Sequence, residues 1–294
     1  MSKLIKDITI IIVLYQENLD LLRNCLKNIK NFKIIIIDNS NNIKLKNQII
    51  KEFEIYKYIL NNKNIGFTKA ANRVINFVNT DYVMNLNADC IIKENAILEL
   101  ITAHKKYNNC FITTPTFYDN KNQLTDNSSC FSDKEISKNK TKFDGDVCVD
   151  WVIGSAILFK KKDIQDIGMF DENLFLYYLD EDICRRARDI KKTVIQLSNV
   201  KAVHSHGISK VRNIFKKVYL RTYYFTYDEL YYFFKIGKNN STYDKLKKNI
   251  KSYLFKFIFN IFLFRFSKSI YYFSKIKAFK DFSKKYDYLM KEIL

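Results

Sequence analysis

The sequence predicts an α/β fold in which helices flank a mostly parallel central sheet, followed by a helical extension that is basic and aromatic. Two continuous apolar runs, "ITIIIVLY" and "FKIIIIDNSN", are typical of strands buried on both faces. Segments with helical spacing of apolar residues alternate with such runs, which indicates a parallel sheet. With 294 residues and 47% hydrophobic composition, the chain can form one large domain with an appendage, or two domains.

The first half of the chain is predicted to alternate strand and helix. The strand at 8–15 is followed by a helix with its apolar residues three or four apart. The next strand ends at Asp38, and "NQIIKEFEIYKYI" after it is predicted to be helical. "TKAANRVINFV" then predicts a third helix, and "DYVMNLNAD" predicts a strand that ends in Asp89. Three strand ends therefore carry Tyr15, Asp38 or Asp89.

The second half of the chain contains a polar stretch and then loses the alternation of strands and helices. Residues 116–146 are polar and predict a loop or an excursion from the sheet. "DVCVDWVIGSAILFKKKDIQDIG" then returns to the sheet. Beyond Ser209 the alternation ends and long aromatic segments compatible with helices follow. We therefore expect a sheet-containing domain at 1–209 and a helical extension at 210–294.

Positive charge is concentrated in the extension. The chain has a formal net charge of +19, and residues 1–209 hold 30 Lys and Arg against 25 Asp and Glu. Residues 210–294 hold 20 basic and 6 acidic residues, together with 25 of the 44 Phe and Tyr. A basic, aromatic segment after a nearly balanced body favours an anionic membrane surface or nucleic acid as its neighbour.

The stretch Tyr253–Phe266, "YLFKFIFNIFLFRF", is apolar but too short to span a bilayer, and Lys256 and Arg265 interrupt it. An interfacial helix on anionic lipid fits its composition. Packing against the rest of the chain or in an oligomer interface is the alternative. Aromatics among lysines could also stack on single-stranded nucleic acid. That hypothesis leaves the ordered motifs of the body unexplained, so we expect no nucleic-acid partner.

Several classes of protein are excluded by what the sequence lacks. The six cysteines contain no C-x-x-C pair, which argues against a zinc ribbon or a disulfide framework and for a reducing compartment. The first apolar run is too short for a signal peptide with its cleavage site, so a cytoplasmic location is expected. With six glycines and no G-x-G-x-x-G or P-loop spacing, a Rossmann dehydrogenase or a P-loop NTPase is not expected.

Polar residues at strand ends predict a nucleotide site. Ligands of open parallel sheets bind at the carboxyl ends of the strands, where Tyr15, Asp38 and Asp89 are predicted to lie. Because no glycine-rich loop is available to hold phosphates, a divalent metal bound by Asp89 would have to neutralise a diphosphate.

The stretch "FLYYLDEDICRRARDI" places Asp180, Glu181 and Asp182 directly behind an aromatic run. Acidic residues favour the first turn of a helix, which is one interpretation. The other is a catalytic carboxylate presented to a pocket. Arg185, Arg186 and Arg188 follow on the same segment and are expected to pair with the acidic residues or to lie on a solvated helix face, rather than to bind phosphate.

The ordered motifs carry a family resemblance. "ITIIIVLYQEN", "IIIIDNSN", "NNKNIGFTKAANR", "VMNLNAD", "VDWVIGSAILFKKKDIQDIGMFDENLFLYYLDEDICRRAR" and "VKAVHSHGIS" together resemble family 2 glycosyltransferases of the GT-A fold, especially the rhamnosyltransferase-like branch. The resemblance covers roughly residues 8–209. It implies a Rossmann-like sheet and an inverting enzyme. The basic extension would keep this enzyme at the inner face of the plasma membrane as a peripheral protein. Its implied reaction moves a sugar from dTDP-rhamnose or a UDP-hexose to a glycan or lipid-linked acceptor, in making cell-surface polysaccharide such as lipopolysaccharide.

The same resemblance implies roles for individual residues. Tyr15 and Asp38 would contact the base and ribose of the nucleotide, with Glu17 nearby. Asn87-Ala88-Asp89 stands where the family has a D-x-D-like element, so Asp89 would be the principal ligand of Mg²⁺ or Mn²⁺, with Asn87 beside it. His204 would help to hold the metal and diphosphate, and His206 is the alternative. The residues that would border the nucleotide and donor sugar are Asn64, Gly66, Lys69 and Asn72.

The family's Glu-Asp-x-Asp pattern falls on residues 179–182 and implies that Asp180 is the base that deprotonates the acceptor hydroxyl. This chain has Leu179 where the family has its first Glu. A slip of one residue would make Asp182 the base; otherwise Asp182 caps the helix. Gly154 and Trp151 would shape the donor and acceptor pocket, although Trp151 fits core packing equally well. A nucleic-acid-binding or membrane-binding protein on a catalytically degenerate GT-A fold is the alternative function.

Overall fold

One sheet and ten helices make up the described part of the chain. The structure, a computed structural model, describes residues 2–125, 144–205, 213–237 and 239–292. The strands are β1 Ile8–Leu14, β2 Lys33–Asp38, β3 Lys57–Leu60, β4 Tyr82–Leu86, β5 Cys90–Ile92, β6 Cys110–Tyr118, β7 Val147–Cys148, β8 Ala156–Lys160 and β9 Thr193–His204. The helices are α1 Ser2–Lys6, α2 Leu19–Lys27, α3 Ile43–Glu52, α4 Phe67–Ile75, α5 Glu94–Lys106, α6 Lys161–Asp166, α7 Leu179–Asp189, α8 Ile214–Lys235, α9 Asn239–Phe262 and α10 Phe266–Glu292.

Strands β1 to β4 form the parallel half of the sheet. β1 lies between β2 and β4, and β3 flanks β2 at the sheet edge. β1 and β2 are rich in isoleucine because both of their faces are buried. Leu14 pairs with Asp38, and Asp38 pairs with Leu60, so three strands end side by side. Ligand sites of parallel sheets form at such an edge.

The prediction of a helix across residues 47–59 is wrong in its second half. Helix α3 ends at Glu52, and Lys57–Leu60 forms β3, which pairs in parallel with β2. Each residue of β3 is partly exposed, because this strand lies at the edge of the sheet. An edge strand needs no continuous run of buried β-branched residues, so its sequence lacked the signal that identified β1 and β2.

Strand β8 begins the mixed half of the sheet. It runs antiparallel to both β4 and β6, and β6 pairs in parallel with β9. The short strands β5 and β7 each pair antiparallel with β9. β4 ends at Leu86 rather than at the predicted Asp89, and residues 87–89 form the turn into β5. The predicted loop at 116–146 begins inside β6, and residues 126–143 lie outside the described residues.

Contacts between residues divide the chain into two compact units. The first contains Met1–Asp171 and Leu179–Lys210, and the second contains Glu172–Tyr178 and Val211–Leu294. The division after residue 209 inferred from the sequence remains a prediction about domains. The structure groups a short segment just before α7 with the helical unit, a grouping that composition gave no reason to expect.

The helical unit is built from α8, α9 and α10. Phe215 at the start of α8 lies beside Phe266 at the start of α10, with ring centroids 6.5 Å apart. Near the other ends of the same helices, Phe234 and Tyr286 have ring centroids 5.2 Å apart. α8 and α10 therefore run in the same direction. α9, which lies between them in the sequence, runs in the opposite direction, and a tight turn connects its end to α10. The helical, aromatic extension predicted from the sequence is confirmed.

A buried carboxylate fastens the segment 172–178 to α8. Oδ1 of Asp228 accepts the backbone N–H of Phe175 at 3.0 Å. Oδ2 accepts those of Leu176 and Tyr177 at 2.8 and 2.9 Å. Asp228 is fully buried, so these three bonds replace the water that the carboxylate has lost. The aromatic run of the segment thus has a structural partner within its own unit.

Candidate active site

Gly154 and Asp180 are in direct contact. The backbone N–H of Gly154 donates to Oδ2 of Asp180 at 2.7 Å. A Cβ on residue 154 would lie 2.7 Å from Oδ1 of Asp180, so only glycine fits beside this carboxylate. Asn85 near the end of β4 donates from its side-chain amide to the carbonyl oxygen of Gly154 at 2.5 Å, so the peptide groups on both sides of Gly154 are hydrogen-bonded. The carboxylate is thus held at a defined position at the start of α7.

The environment of Asp180 suits a general base. Burial raises the pKa of Asp180 to about 6, although the N–H of Gly154 lowers it. Such a group is ionised at neutral pH and more basic than an ordinary aspartate. Burial also raises the pKa of Glu181 to about 7, and the negative charge of Asp180 adds to this shift. Tyr178, just before α7, has a positive φ of 60°, which is a strained conformation for a bulky residue.

Asp182 has a different environment. It is 2% exposed, and its Oδ2 accepts from Nε of Arg186 at 2.8 Å. The two terminal nitrogens of Arg186 donate to the carbonyl oxygens of Ile167 and Met169, each at 2.7 Å. This network ties α7 to the turn after α6. The carboxylate of Asp182 is thus engaged in holding α7 in place.

Asp89 and His204 meet because of strand register. β5 begins directly after Asp89, and Cys90 pairs with His204 at the end of β9. Oδ1 of Asp89 consequently lies 3.3 Å from Nε2 of His204, and the backbone N–H of Ser205 donates to the carbonyl oxygen of Asp89 at 3.0 Å. His206, the alternative to His204, lies outside the described residues.

Ser155 connects these two groups of residues, and sequence reasoning missed it. Asn87 donates from its backbone to the Ser155 carbonyl oxygen at 2.8 Å and from its side chain to Oγ at 3.2 Å. Oγ of Ser155 also lies 3.3 Å from Nε2 of His204. Because Gly154 contacts Asp180, the Gly154–Ser155 dipeptide joins the predicted metal residues to the predicted base. The one available signal was its position next to Gly154 in "VIGSA".

Glu17 belongs to a cluster of carboxylates at the strand ends. Burial raises the pKa of Glu17 to about 7, and the negative charges of Asp89 and Asp38 raise it further. Gln16, just before it, has a positive φ of 54°, which only a minority of residues other than glycine adopt. A buried carboxylate whose pKa is raised further by two neighbouring carboxylates is typical of a functional site.

A divalent cation fits this edge of the sheet only if other groups complete its coordination. Among the described residues, no group of three or more His, Cys, Asp and Glu side chains is arranged to hold a metal ion. Asp89 and His204 offer one oxygen and one nitrogen ligand 3.3 Å apart. Divalent cations commonly take one or two protein ligands and complete their shells with phosphate oxygens and water. The two residues fit such a cation.

The carboxylate of Asp38 is engaged in its own turn. It accepts the backbone N–H groups of Ser40 and Asn42 at 2.7 and 3.3 Å, together with the hydroxyl of Ser40. The hydroxyl of Tyr58 lies 3.5 Å from Oδ2 of Asp38. Burial and this negative charge raise the pKa of the Tyr58 phenol. Asp38 therefore shapes the loop after β2.

Neighbouring amides organise the loop before α4. Asn39 donates to the carbonyl oxygen of Gly66 at 3.1 Å and accepts from Asn61 at 2.7 Å. Asn64 accepts the N–H of Gly66 at 3.0 Å. Gly66 has φ of 89° and ψ of 165°, a conformation that is essentially restricted to glycine. The sequence singled out Asn64 and Gly66 but missed Asn39 and Asn61.

The remaining predicted residues differ in accessibility. Lys69 is exposed on the first turn of α4, whereas Asn72 is buried and forms two hydrogen bonds with the backbone of Phe170, at 2.8 and 3.0 Å. Asn72 thus connects α4 to the turn after α6. Tyr15 and Trp151 are both partly exposed, at the end of β1 and between β7 and β8.

Comparisons with known proteins match more than half of the chain to one family. The family model for glycosyl transferase family 2 matches residues 9–168. Rhamnosyltransferase WbbL of Escherichia coli strain K12 is 31% identical over 138 residues, which cover 42% of this chain and 51% of that protein. The low-salt glycan biosynthesis hexosyltransferase Agl10 of Haloferax volcanii is 26% identical over 166 residues, 53% of each chain. The chain spans about half the length of these curated relatives.

Solved structures confirm the GT-A fold. GalNAc-T7, solved with UDP, GalNAc and Mn²⁺, has a TM-score of 0.55 at 14% identity, over 76% of this chain and 50% of its own. The mannosyltransferase PcManGT of Pyrobaculum calidifontis, solved with GDP-Man and Mn²⁺, has a TM-score of 0.52 at 12% identity, over 75% and 62%.

Proposed function

The chain belongs to glycosyl transferase family 2, and on this premise we propose that it is an inverting enzyme that transfers a sugar from a nucleotide-sugar donor. The contact between Gly154 and Asp180 carries the proposal, because it holds a carboxylate of raised pKa at a fixed position. The acceptor is a glycan or a lipid-linked sugar, and the product contributes to a cell-surface polysaccharide such as lipopolysaccharide. The related rhamnosyltransferase and hexosyltransferase support dTDP-rhamnose or a UDP-hexose as the donor.

Asp180 acts as the general base in this proposal. Its carboxylate takes the proton of the acceptor hydroxyl while that oxygen forms a bond to the anomeric carbon. The bond from the anomeric carbon to the diphosphate oxygen breaks, and its electron pair leaves with the nucleoside diphosphate. Attack from the face opposite the leaving group inverts the anomeric configuration. The N–H of Gly154 keeps the carboxylate oriented toward the acceptor throughout.

The residues at the strand ends bind the donor. Tyr15 and Asp38 contact the base and ribose, with Glu17 beside them. Asn64, Gly66, Lys69 and Asn72 line or support the nucleotide and sugar, and Trp151 borders the pocket. Asp89 and His204 would hold Mg²⁺ or Mn²⁺, which when bound neutralises the charge of the diphosphate. Their contact at 3.3 Å and the Mn²⁺ in both structural neighbours support this assignment.

We place the protein at the cytoplasmic face of the plasma membrane, where a lipid-linked acceptor would be found. The basic, aromatic character of the helical unit supports this placement.

Release of nucleoside diphosphate tests the function. The purified chain is incubated with Mn²⁺, a polyprenyl-linked sugar acceptor and, in turn, dTDP-rhamnose, UDP-glucose, UDP-galactose or a UDP-N-acetylhexosamine. We expect one donor to be consumed with formation of a glycosylated lipid of inverted configuration. Asp180→Asn, which keeps the shape but cannot accept the proton, should slow the reaction by about 100-fold or more.

Asp182→Asn separates the two candidate bases in the same assay. Because Asp182 is held in an ion pair with Arg186, its substitution should lower the melting temperature. The rate per folded molecule should fall much less than it does in Asp180→Asn. Unchanged turnover in Asp180→Asn, or donor consumption with retained configuration, would contradict the proposed function.

A further inference from the structure

The end of the helical unit exposes an unusual amount of apolar surface. Of the 13 residues from Leu254 to Phe266, nine are large apolar side chains that are at least 40% exposed to solvent. Phe262 is 73% and Phe264 80% exposed. Soluble proteins rarely expose a contiguous apolar patch of this kind unless it binds something. The nine residues, here called the apolar tip, are Leu254, Phe255, Ile258, Phe259, Ile261, Phe262, Leu263, Phe264 and Phe266.

The turn within the apolar tip holds a phenylalanine in a strained conformation. Phe264 has φ of 53°, and the N–H groups of Phe264 and Arg265 bond to the carbonyl oxygens of Ile261 and Asn260 at 2.9 and 2.8 Å. This hydrogen-bond pattern ends many helices, and glycine or asparagine normally occupies the left-handed position. A bulky residue there costs about 1 kcal/mol or more. Since Phe264 is also exposed, it contributes little to folding, and its strained and exposed position points to a role outside the fold.

Further apolar residues continue the surface onto the neighbouring helix. Ile214 and Phe215 at the start of α8 are 60% and 41% exposed. The ring centroid of Phe215 is 6.5 Å from that of Phe266. The start of α8, the end of α9 and the start of α10 therefore present one apolar surface at one end of the unit. A single helix lying flat, which the sequence suggested, would not produce this arrangement.

The positive charge around the apolar tip favours an anionic partner. Residues 245–280, which contain the apolar tip, include nine lysines, one arginine and no acidic residue. Lys251, Lys256, Arg265 and Lys268 are all exposed. Apolar and aromatic side chains beside lysines are the composition of segments that enter the interface of an anionic bilayer. Within the described residues, no helix is long and apolar enough to cross a membrane.

We propose that the apolar tip inserts into the surface of an anionic lipid bilayer, with its phenylalanines among the acyl chains and its basic residues at the headgroups. The inserted part is the end of the hairpin formed by α9 and α10, and this part does not cross the bilayer. This proposal is independent of sugar transfer, because binding to lipid requires neither donor nor acceptor. A second copy of the chain is the competing occupant, and the experiment below separates the two.

Vesicle sedimentation tests the proposal. The full chain is mixed with vesicles of phosphatidylcholine alone or of phosphatidylcholine and phosphatidylglycerol in equal parts. We expect sedimentation with the anionic vesicles, weakened by salt. The double variant Phe262→Ser/Phe264→Asn should bind about tenfold or more weakly, because two large apolar side chains no longer enter the lipid. Asparagine tolerates a positive φ, so the variant should fold with an unchanged or higher melting temperature.

Ile43→Ser/Ile50→Ser provides the matched control. Both isoleucines lie on α3 and are 57% and 47% exposed, so the control also removes two exposed apolar side chains, but in the first unit. It should bind vesicles like the wild type. Failure of the wild type to bind anionic vesicles, or equal binding by the tip variant, overturns the proposal. A lipid-free dimer that the tip substitutions dissociate, together with absence of vesicle binding, assigns the surface to a second copy.

Discussion

At the scale of single residues, Gly154 and Asp180 are so close that no side chain fits between them. The N–H of Gly154 bonds to the carboxylate and the amide of Asn85 bonds to the carbonyl oxygen of Gly154, so both peptide groups that flank this residue are held in place. A base held in this way loses little freedom when the acceptor arrives, which is one way in which enzymes lower reaction barriers. The same contact makes Asp180 sensitive to a single methyl group.

Gly154→Ala should therefore impair catalysis while the protein still folds. The new Cβ would lie 2.7 Å from Oδ1 of Asp180, so the carboxylate must move. A displacement of about 1 Å can cost roughly 100-fold in rate, and we expect a loss of kcat of this order. Turnover and the melting temperature are measured together. Gly145→Ala, whose Cβ meets no atom within 4 Å, should retain wild-type turnover.

The pH profile of the reaction should report the pKa of Asp180. The base must be ionised, so kcat/KM should fall as the pH drops through about 6, where Asp180 takes up a proton. Glu181→Gln should keep this acid limb, because burial rather than the charge of Glu181 is the main cause of the shift. A flat wild-type profile between pH 5 and 8 would show that another group accepts the proton.

At the scale of elements, strand pairing brings together site residues that lie far apart in the sequence. Asp89 and His204 are far apart in the chain, and the pairing of β5 with β9 brings them together. Local patterns could identify β1 and β2, whose residues are buried on both faces. They could not identify the edge strand β3 or the antiparallel direction of β8. Both depend on long-range pairing rather than on local periodicity.

Asp228 should control the order of the segment just before α7. It accepts three backbone N–H groups, from residues 175–177. Asp228→Ala would leave these donors without the carboxylate, at about 1–3 kcal/mol for each that remains buried. Hydrogen exchange measured by mass spectrometry should become faster at 175–177. Asp228→Asn keeps one acceptor oxygen and should have a smaller effect.

Asp244→Ala serves as the control for this measurement, since Asp244 is exposed on α9 and its loss should leave exchange at 175–177 unchanged. Equal protection of these amides in Asp228→Ala and the wild type would show that the carboxylate does not order the segment.

At the scale of the whole molecule, the alternation of strand-like and helix-like segments predicted the fold class, and the resemblance of the ordered motifs to a known family predicted the family. The sheet-containing body, the helical aromatic extension and the GT-A fold are all confirmed. Two features escaped prediction because they depend on folding in three dimensions. Ser155 became visible only when β8 was placed beside β4, and the apolar tip only when α8, α9 and α10 were brought together.

The central claim is that the strand ends bind a nucleotide with the help of a divalent cation at Asp89. Calorimetric binding of UDP, dTDP and GDP to the full chain, with and without Mn²⁺ or Mg²⁺, tests it most directly. We expect selective binding that the cation strengthens, and loss of this strengthening in Asp89→Ala but not in Asp166→Ala, an exposed aspartate at the end of α6. Absence of binding to every nucleotide, or equal binding by Asp89→Ala and the wild type, would contradict the claim.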